Sequence, residues 1–179
     1  MSRPHKVLFL QATSFSTSTT GNRIAQASAG RSNSIEVHFY DTSNKELSEI
    51  TRTVIAGGFD AVVTEETYRF SNGRCREDIR DSIYAELGLN FENSPFVELD
   101  QNYLLSGVAL VRYLKQACAE AGQDMKFGYM GLTAVAAIFA SHYDALGIEP
   151  NADFYLCTGR HTEGPRQHVD KIYASFGVR

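Results

Sequence analysis

The sequence predicts a doubly wound α/β fold, in which five parallel β-strands carry helices on both faces. Five short apolar segments alternate with segments whose apolar residues recur at helical spacing. This alternation is typical of a parallel sheet that is covered on both sides. The chain has 179 residues, about the size of one domain. The predicted strands span residues 6–10, 35–40, 61–64, 127–131 and 154–157.

The composition and charge of the chain argue against several classes of protein. The formal net charge is −4, whereas nonspecific binding to nucleic acid requires a basic face. The three cysteines, Cys75, Cys118 and Cys157, lack the spacing of a metal site and are interpreted as reduced thiols. Neither a signal peptide nor a membrane-spanning run of about 20 apolar residues is recognisable. We therefore expect a cytoplasmic protein with no metal, no nucleic-acid partner and no membrane association.

The segments before the third strand predict two helices. Residues 13–22 form a Ser/Thr-rich stretch that we expect to be a loop, followed by a short helix that extends to Ala29. Ser43 and Glu46 have the spacing of a capping box at the start of the next helix. Gly57 is expected to end that helix, whose apolar face is Leu47, Ile50 and Val54.

A long interruption, residues 67–103, separates the third strand from the next helix. Ile79, Ile83 and Leu87 recur every four residues within it and predict a short amphipathic helix. We expect one domain over residues 1–179, with this insert packed against its body as a lid or an interaction arm. Beyond the insert, helical stripes are predicted at Val108, Val111 and Leu114, over residues 135–146, and at Val169, Ile172 and Phe176, the last following Pro165.

Several of these segments resemble the receiver domain of response regulators. The stretch IEVHFYDTSNKELSEITRTVIAGGFDAVVTE resembles its second strand, second helix and third strand. SGVALVRYLKQ resembles its third helix, and MKFGYMGLTA and NADFYLCTG resemble its fourth and fifth strands. The resemblance implies a flavodoxin-like sheet and a role in two-component signal transduction. It also places Glu65 where the family has its phosphoacceptor Asp, and Thr133 where the family has a hydroxyl residue.

The chain departs from the family pattern at the other positions that carry phosphotransfer. Gln11 and Ala12 stand where receivers have a magnesium-binding acidic pair, and Thr158 stands where they have a lysine. Mg²⁺ requires hard oxygen ligands, usually carboxylates. Glu is also one methylene longer than Asp, which displaces the nucleophilic oxygen. We therefore interpret Glu65 as a degenerate phosphoacceptor position and expect no catalytic residue.

Two interpretations of Glu65 remain open at the level of sequence. It could mimic a phosphorylated Asp permanently, or it could be an acid at a solvated strand end. The preferred function is an atypical receiver-like signalling module that acts through a protein partner, a second copy of the chain being one candidate. A small ligand, if one binds, is expected in the crevice beside Glu65, where the candidates are Gln11, Ala12, Thr13, Glu66, Thr133 and Thr158.

An alternative comes from the stretch after the first strand. Its residues resemble the phosphate loop of flavodoxins, S/T-x-T-G-N, here Ser18, Thr19, Thr20, Gly21 and Asn22. The resemblance implies a protein or enzyme that binds FMN or another phosphorylated ligand, since hydroxyls and amides at a helix start suit a phosphate. A third possibility is a small hydrolase or transferase. The preferred interpretation expects no cofactor.

Further polar residues follow the fifth strand. Arg160, His161 and His168 are expected near the same edge of the sheet as Glu65. Cys157 could act as a nucleophile only with a base beside it. As a residue of the fifth strand, it is predicted to be a buried thiol.

Overall fold

A computed structural model describes residues 3–11, 17–65, 82, 85, 102–132, 152–158 and 163–178 of the chain. Within these residues five strands form one parallel sheet. They are β1 (His5–Gln11), β2 (Ile35–Asp41), β3 (Ala61–Glu65), β4 (Lys126–Leu132) and β5 (Phe154–Thr158). Four helices accompany them: α1 (Thr17–Ser28), α2 (Leu47–Ala56), α3 (Asn102–Glu120) and α4 (Pro165–Ser175).

The strand order is β2-β1-β3-β4-β5 and every neighbouring pair is parallel. This is the order of flavodoxin-like folds, so the predicted fold class is confirmed. Each predicted strand is present, and its observed ends lie within one residue of the predicted ones. Parallel strands are buried on both faces and appear in the sequence as nearly continuous apolar runs. This explains why the strand ends were predicted accurately.

Two apolar cores cover the two faces of the sheet. Because successive strand residues point to opposite faces, Leu8 and Leu10 pack against α2 and α3, whereas Val7 and Phe9 face α1 and α4. The predicted helical faces are confirmed where the structure describes them. On the first side the buried helical residues are Leu47, Ile50, Val54, Leu110, Val111, Leu114 and Cys118; on the second they are Ile24, Val169, Ile172 and Tyr173.

Two aspartates fix the strand register at the amino-terminal edge of the sheet. The Asp60 carboxylate, just before β3, accepts the backbone N–H of Lys6 on β1 at 2.8 Å. The Asp153 carboxylate, just before β5, accepts the backbone N–H of Phe127 on β4, also at 2.8 Å. Each aspartate also pairs with a cation, Arg3 at 2.6 Å and Lys115 at 3.0 Å, respectively. Both contacts tie a strand to the neighbour that precedes it in the chain.

Two details of the helix starts differ from the predictions. α1 includes Thr17 to Asn22, so the second half of the predicted Ser/Thr-rich loop is helical. The predicted capping box of α2 is wrong, because its N-cap is Glu46 and makes no side-chain capping hydrogen bond. The Ser43 hydroxyl instead donates to the carboxylate of Asp41 at 2.5 Å. Gly57 is the C-cap of α2, as predicted.

The predicted insert lies mostly outside the described residues. Within its predicted range, Ser82 and Ala85 are helical and exposed, and α3 begins at Asn102, inside the predicted end of the insert. The stripe Ile79, Ile83 and Leu87 and the helix predicted over residues 135–146 fall outside the described part of the chain. Their packing therefore stays a prediction.

Candidate functional site

The carboxyl ends of all five strands meet at one edge of the sheet, where ligands of this fold class bind. β1 ends at Gln11, which is in register with Asp41, the last residue of β2. β3 lies in the middle of the sheet and ends at Glu65, in register with Met130 on β4. β4 and β5 end on the register pair Leu132 and Thr158. Topology thus brings three of the predicted site positions, Gln11, Glu65 and Thr158, to the same edge.

The other crevice candidates, Ala12, Thr13, Glu66 and Thr133, lie outside the described residues, as do Arg160 and His161. Asp41 was not singled out from the sequence. Its carboxylate accepts hydrogen bonds from the backbone N–H of Ser43 at 2.8 Å and from the Ser43 hydroxyl. Such a contact between Asp and the residue two positions later is a common turn device. Asp41 therefore shapes the β2–α2 turn as well as ending a strand.

The stretch that resembles a flavodoxin phosphate loop lies in α1. In a helix that starts at Thr17, amides from Gly21 onward bond to carbonyls four residues earlier, so only the first turn keeps free amides. Gly21 is buried, and a Cβ there would come within 2.5 Å of the Phe39 ring. The glycine thus has a packing role, because it lets α1 approach β2 closely. Ser18 and Thr19 belong to this first turn.

A cluster of polar groups, which we call the β5 clasp, joins the end of β5 to the start of α4. It consists of the backbone of Cys157 with the side chains of Glu163, His168 and Lys171. One Glu163 carboxylate oxygen accepts the Cys157 backbone N–H at 3.2 Å, and the other pairs with the Lys171 ammonium. Lys171 also donates to the carbonyl of Tyr155 at 2.9 Å. The clasp thus ties β5 to the start of α4.

His168 is the most buried member of the clasp, with 4% of its surface exposed. Its Nε2 lies 3.0 Å from the carbonyl oxygen of Cys157, and a carbonyl only accepts, so Nε2 carries the hydrogen. In this contact the His168 imidazole therefore donates a hydrogen bond to the backbone carbonyl of Cys157. The Cys157 side chain is partly exposed, so the predicted buried thiol is wrong. This geometry supports a structural role for His168 beside the carboxyl end of β5.

Electrostatics explain why Glu163 can sit there as a carboxylate. Partial burial alone would raise the pKa of Glu163, but hydrogen bonds from Lys171 and Cys157, with the Lys171 charge, outweigh it and lower the pKa. Glu163 is thus ionised at neutral pH. A carboxyl group whose pKa is lowered in the folded state stabilises the fold above its ordinary pKa, and this contribution is lost as the pH falls through the lowered value.

Replacing Glu163 by glutamine is expected to lower the free energy of unfolding at pH 7 by about 1 to 2 kcal/mol, since two charge-assisted contacts are weakened. The difference from wild type should shrink as the pH falls below the ordinary glutamate pKa of about 4.3 and through the lowered value, because the carboxyl group then becomes protonated. Urea unfolding over a pH series measures it. Asp124→Asn is the matched control, because this carboxylate is 95% exposed. A Glu163→Gln effect that is no larger than the control effect at pH 7 would show that the clasp does not stabilise the fold.

Comparisons with known proteins add no family assignment. No protein-family model matches the chain, and no curated protein matches it. Among the described residues no group of three or more His, Cys, Asp or Glu side chains is arranged to hold a metal ion. None of the helices within the described ranges is long and apolar enough to cross a membrane.

Proposed function

We propose that this chain is an atypical receiver-like signalling module that acts through protein contacts and does not use phosphotransfer. The observation that carries the proposal is the set of residues at the strand ends. In a sheet of this order, β3 ends on the acid Glu65, while β1 and β5 end on the neutral residues Gln11 and Thr158. A sheet with the strand order of flavodoxin-like folds is thus combined with strand ends beside Glu65 that carry no charge.

Phosphoryl transfer requires the charge of the moving group to be neutralised. A divalent cation does this, and proteins hold Mg²⁺ with one or more carboxylates together with phosphate oxygens. The strands on either side of β3 end on Gln11 and Leu132, neither of which is charged. The remaining acidic strand end, Asp41, belongs to β2, one strand farther out, and is engaged with Ser43. Glu65 therefore lacks a described carboxylate on a neighbouring strand end to share a cation.

A permanent acid at this position supports a module whose state does not switch by phosphorylation. The negative charge that a phosphoryl group would add is partly supplied by Glu65 itself. In such a module, a partner recognises one conformation of the surface. Signalling then depends on the presence of the chain or its partner.

Beryllium fluoride, a mimic of a bound phosphoryl group, tests this proposal. Wild-type protein in Mg²⁺ and beryllium fluoride is expected to show the same melting temperature as in Mg²⁺ and fluoride alone. A rise that requires Mg²⁺ and disappears in Glu65→Gln would contradict the proposal, because it would reveal a working phosphoryl site.

A second candidate function is the binding of FMN or another phosphorylated ligand. The observation that favours it is the position of Ser18 and Thr19 in the first turn of α1, the helix that follows β1. Helix starts of this kind bind phosphate groups in proteins with a doubly wound sheet. The visible spectrum of the purified protein separates the two candidates, since a bound oxidised flavin is yellow.

A further inference from the structure

A groove of about 580 Å³ opens between α1 and α4 on the outer side of the sheet. Its lining includes the small residues Ala27 on α1 and Gly164 and Pro165 at the start of α4, which we call its floor. The other lining residues are polar and exposed: Arg23 and Gln26 from α1, and Arg166 and Gln167 from α4. A groove of this volume is within the range of sites that take a ligand or several side chains.

α1 and α4 pack through core residues such as Ile24 and Val169, and the described polar bridges between the two sides lie just beyond the end of α1. There Arg31 pairs with Asp170 at 2.8 Å, and its guanidinium lies 5.3 Å from the centre of the Tyr173 ring. The Tyr173 hydroxyl donates to the carbonyl of Asn33. No comparable bridge between described residues joins the helices near Ala27, and the small floor residues leave the space between them unfilled.

The positive charge of its two arginines gives the groove a preference for a negatively charged partner. Neither Arg23 nor Arg166 forms an ion pair with a described residue, whereas Arg3 and Arg31 each pair with an aspartate. The chain as a whole carries a net charge of −4, so the groove is a locally basic site on an acidic protein. Guanidinium groups bind carboxylates through paired hydrogen bonds, and complementary charge selects a partner.

We propose that the groove between α1 and α4 is a docking site for an acidic segment of a partner protein. An apolar side chain of that segment fills the space over Ala27 and Pro165, while carboxylates on either side of it pair with Arg23 and Arg166. A small anion alone would leave most of the apolar floor uncovered, and this favours a peptide segment. The inference rests on the proposed function, because it names the chemistry of the protein partner.

The test uses a fluorescein-labelled decapeptide of alternating glutamate and leucine, with a glutamine-leucine peptide as its control. Fluorescence anisotropy is expected to show binding of the acidic peptide to wild type, weakened by salt, and weaker binding of the control. The double variant Arg23→Glu/Arg166→Glu should bind the acidic peptide about tenfold more weakly or worse. Arg52→Glu, an exposed arginine on α2 at the opposite face, is the matched control and should bind as wild type does.

Amide chemical shifts of the wild-type protein give a second readout that does not depend on any variant folding. The acidic peptide should shift amides near Arg23 and Arg166 and leave those of α2 unchanged. Three results would overturn the proposal: no binding of the acidic peptide, equal binding by the double variant, or shifts confined to another surface. Inorganic phosphate producing the same shifts at the same concentration would also overturn it, by indicating a small-anion site. None of these results bears on the beryllium fluoride test, so the two proposals fail separately.

Discussion

Replacing Phe9 by alanine is expected to lower the free energy of unfolding by about 3 to 5 kcal/mol, the usual cost of removing a buried phenyl ring. Phe9 lies on β1, which is flanked by β2 and β3, and none of its surface is exposed. Its ring belongs to the core beneath α1 and α4. Because packed strands and helices surround the site, the cavity cannot collapse completely.

Phe39 provides the matched control for this substitution. It lies on the edge strand β2, its ring centre is 5.9 Å from that of Phe9, and 39% of it is exposed. Phe39→Ala removes the same atoms and should cost about 1 kcal/mol or slightly more, since part of the ring already contacts water. Urea unfolding followed by circular dichroism measures both variants. Equal losses for the two would show that β1 is not an inner strand of the sheet.

Replacing Gly128 by valine is expected to destabilise the protein by about 2 to 3 kcal/mol, or to prevent folding, because the core cannot take the added atoms. Gly128 lies on β4, between β3 and β5, and a Cβ there would stand 2.1 Å from a carbon of the Phe154 ring. Phe154 is only 6% exposed, so its ring has little room to move away. The glycine thus makes space for the aromatic ring of the neighbouring strand.

Gly164→Ala is the control for the Gly128 substitution. A Cβ at Gly164 meets no atom within 4 Å, and the φ of −82° suits any residue. Its melting temperature should therefore stay close to that of wild type. A Gly128→Val protein that melts at the wild-type temperature would contradict the pairing of β4 with β5.

The strands could be predicted because burial on both faces leaves a strong signal in the sequence, whereas their order was implied by the resemblance to flavodoxin-like folds. The run Ala61-Val62-Val63 is apolar at every position, and in the structure all three are fully buried. The alternation of strands and helices then restricts the topology to a few choices. Because ligands bind at the carboxyl edge of such sheets, the strand ends Gln11, Glu65 and Thr158 could be predicted as candidate site positions on that edge.

Local patterns failed where two polar groups compete for one partner. Ser43 and Glu46 match a capping box, in which the Glu46 carboxylate would accept the Ser43 backbone N–H, yet that N–H donates to the Asp41 carboxylate. Short polar side chains satisfy themselves in several local ways, and sequence alone does not rank these. The same ambiguity hid the start of α1, since Ser and Thr suit both a loop and a first helical turn.

The β5 clasp and the groove had no signal in the sequence. His168 contacts a backbone carbonyl, an acceptor that every residue carries, so no pattern of side chains marks the pair. The groove is lined by two helices that are distant in the chain, with Ala27 from one and Pro165 from the other. Both features follow from tertiary packing and required the structure.

Incubation with acetyl phosphate and Mg²⁺, followed by intact mass spectrometry, is the most direct test of the proposed receiver-like module that does not use phosphotransfer. An authentic receiver domain in the same reaction shows that the donor is active. Because Gln11 supplies no acidic partner for Glu65, we expect this chain to stay unmodified. A stoichiometric phosphoryl adduct on wild type that is absent from Glu65→Gln would contradict the account.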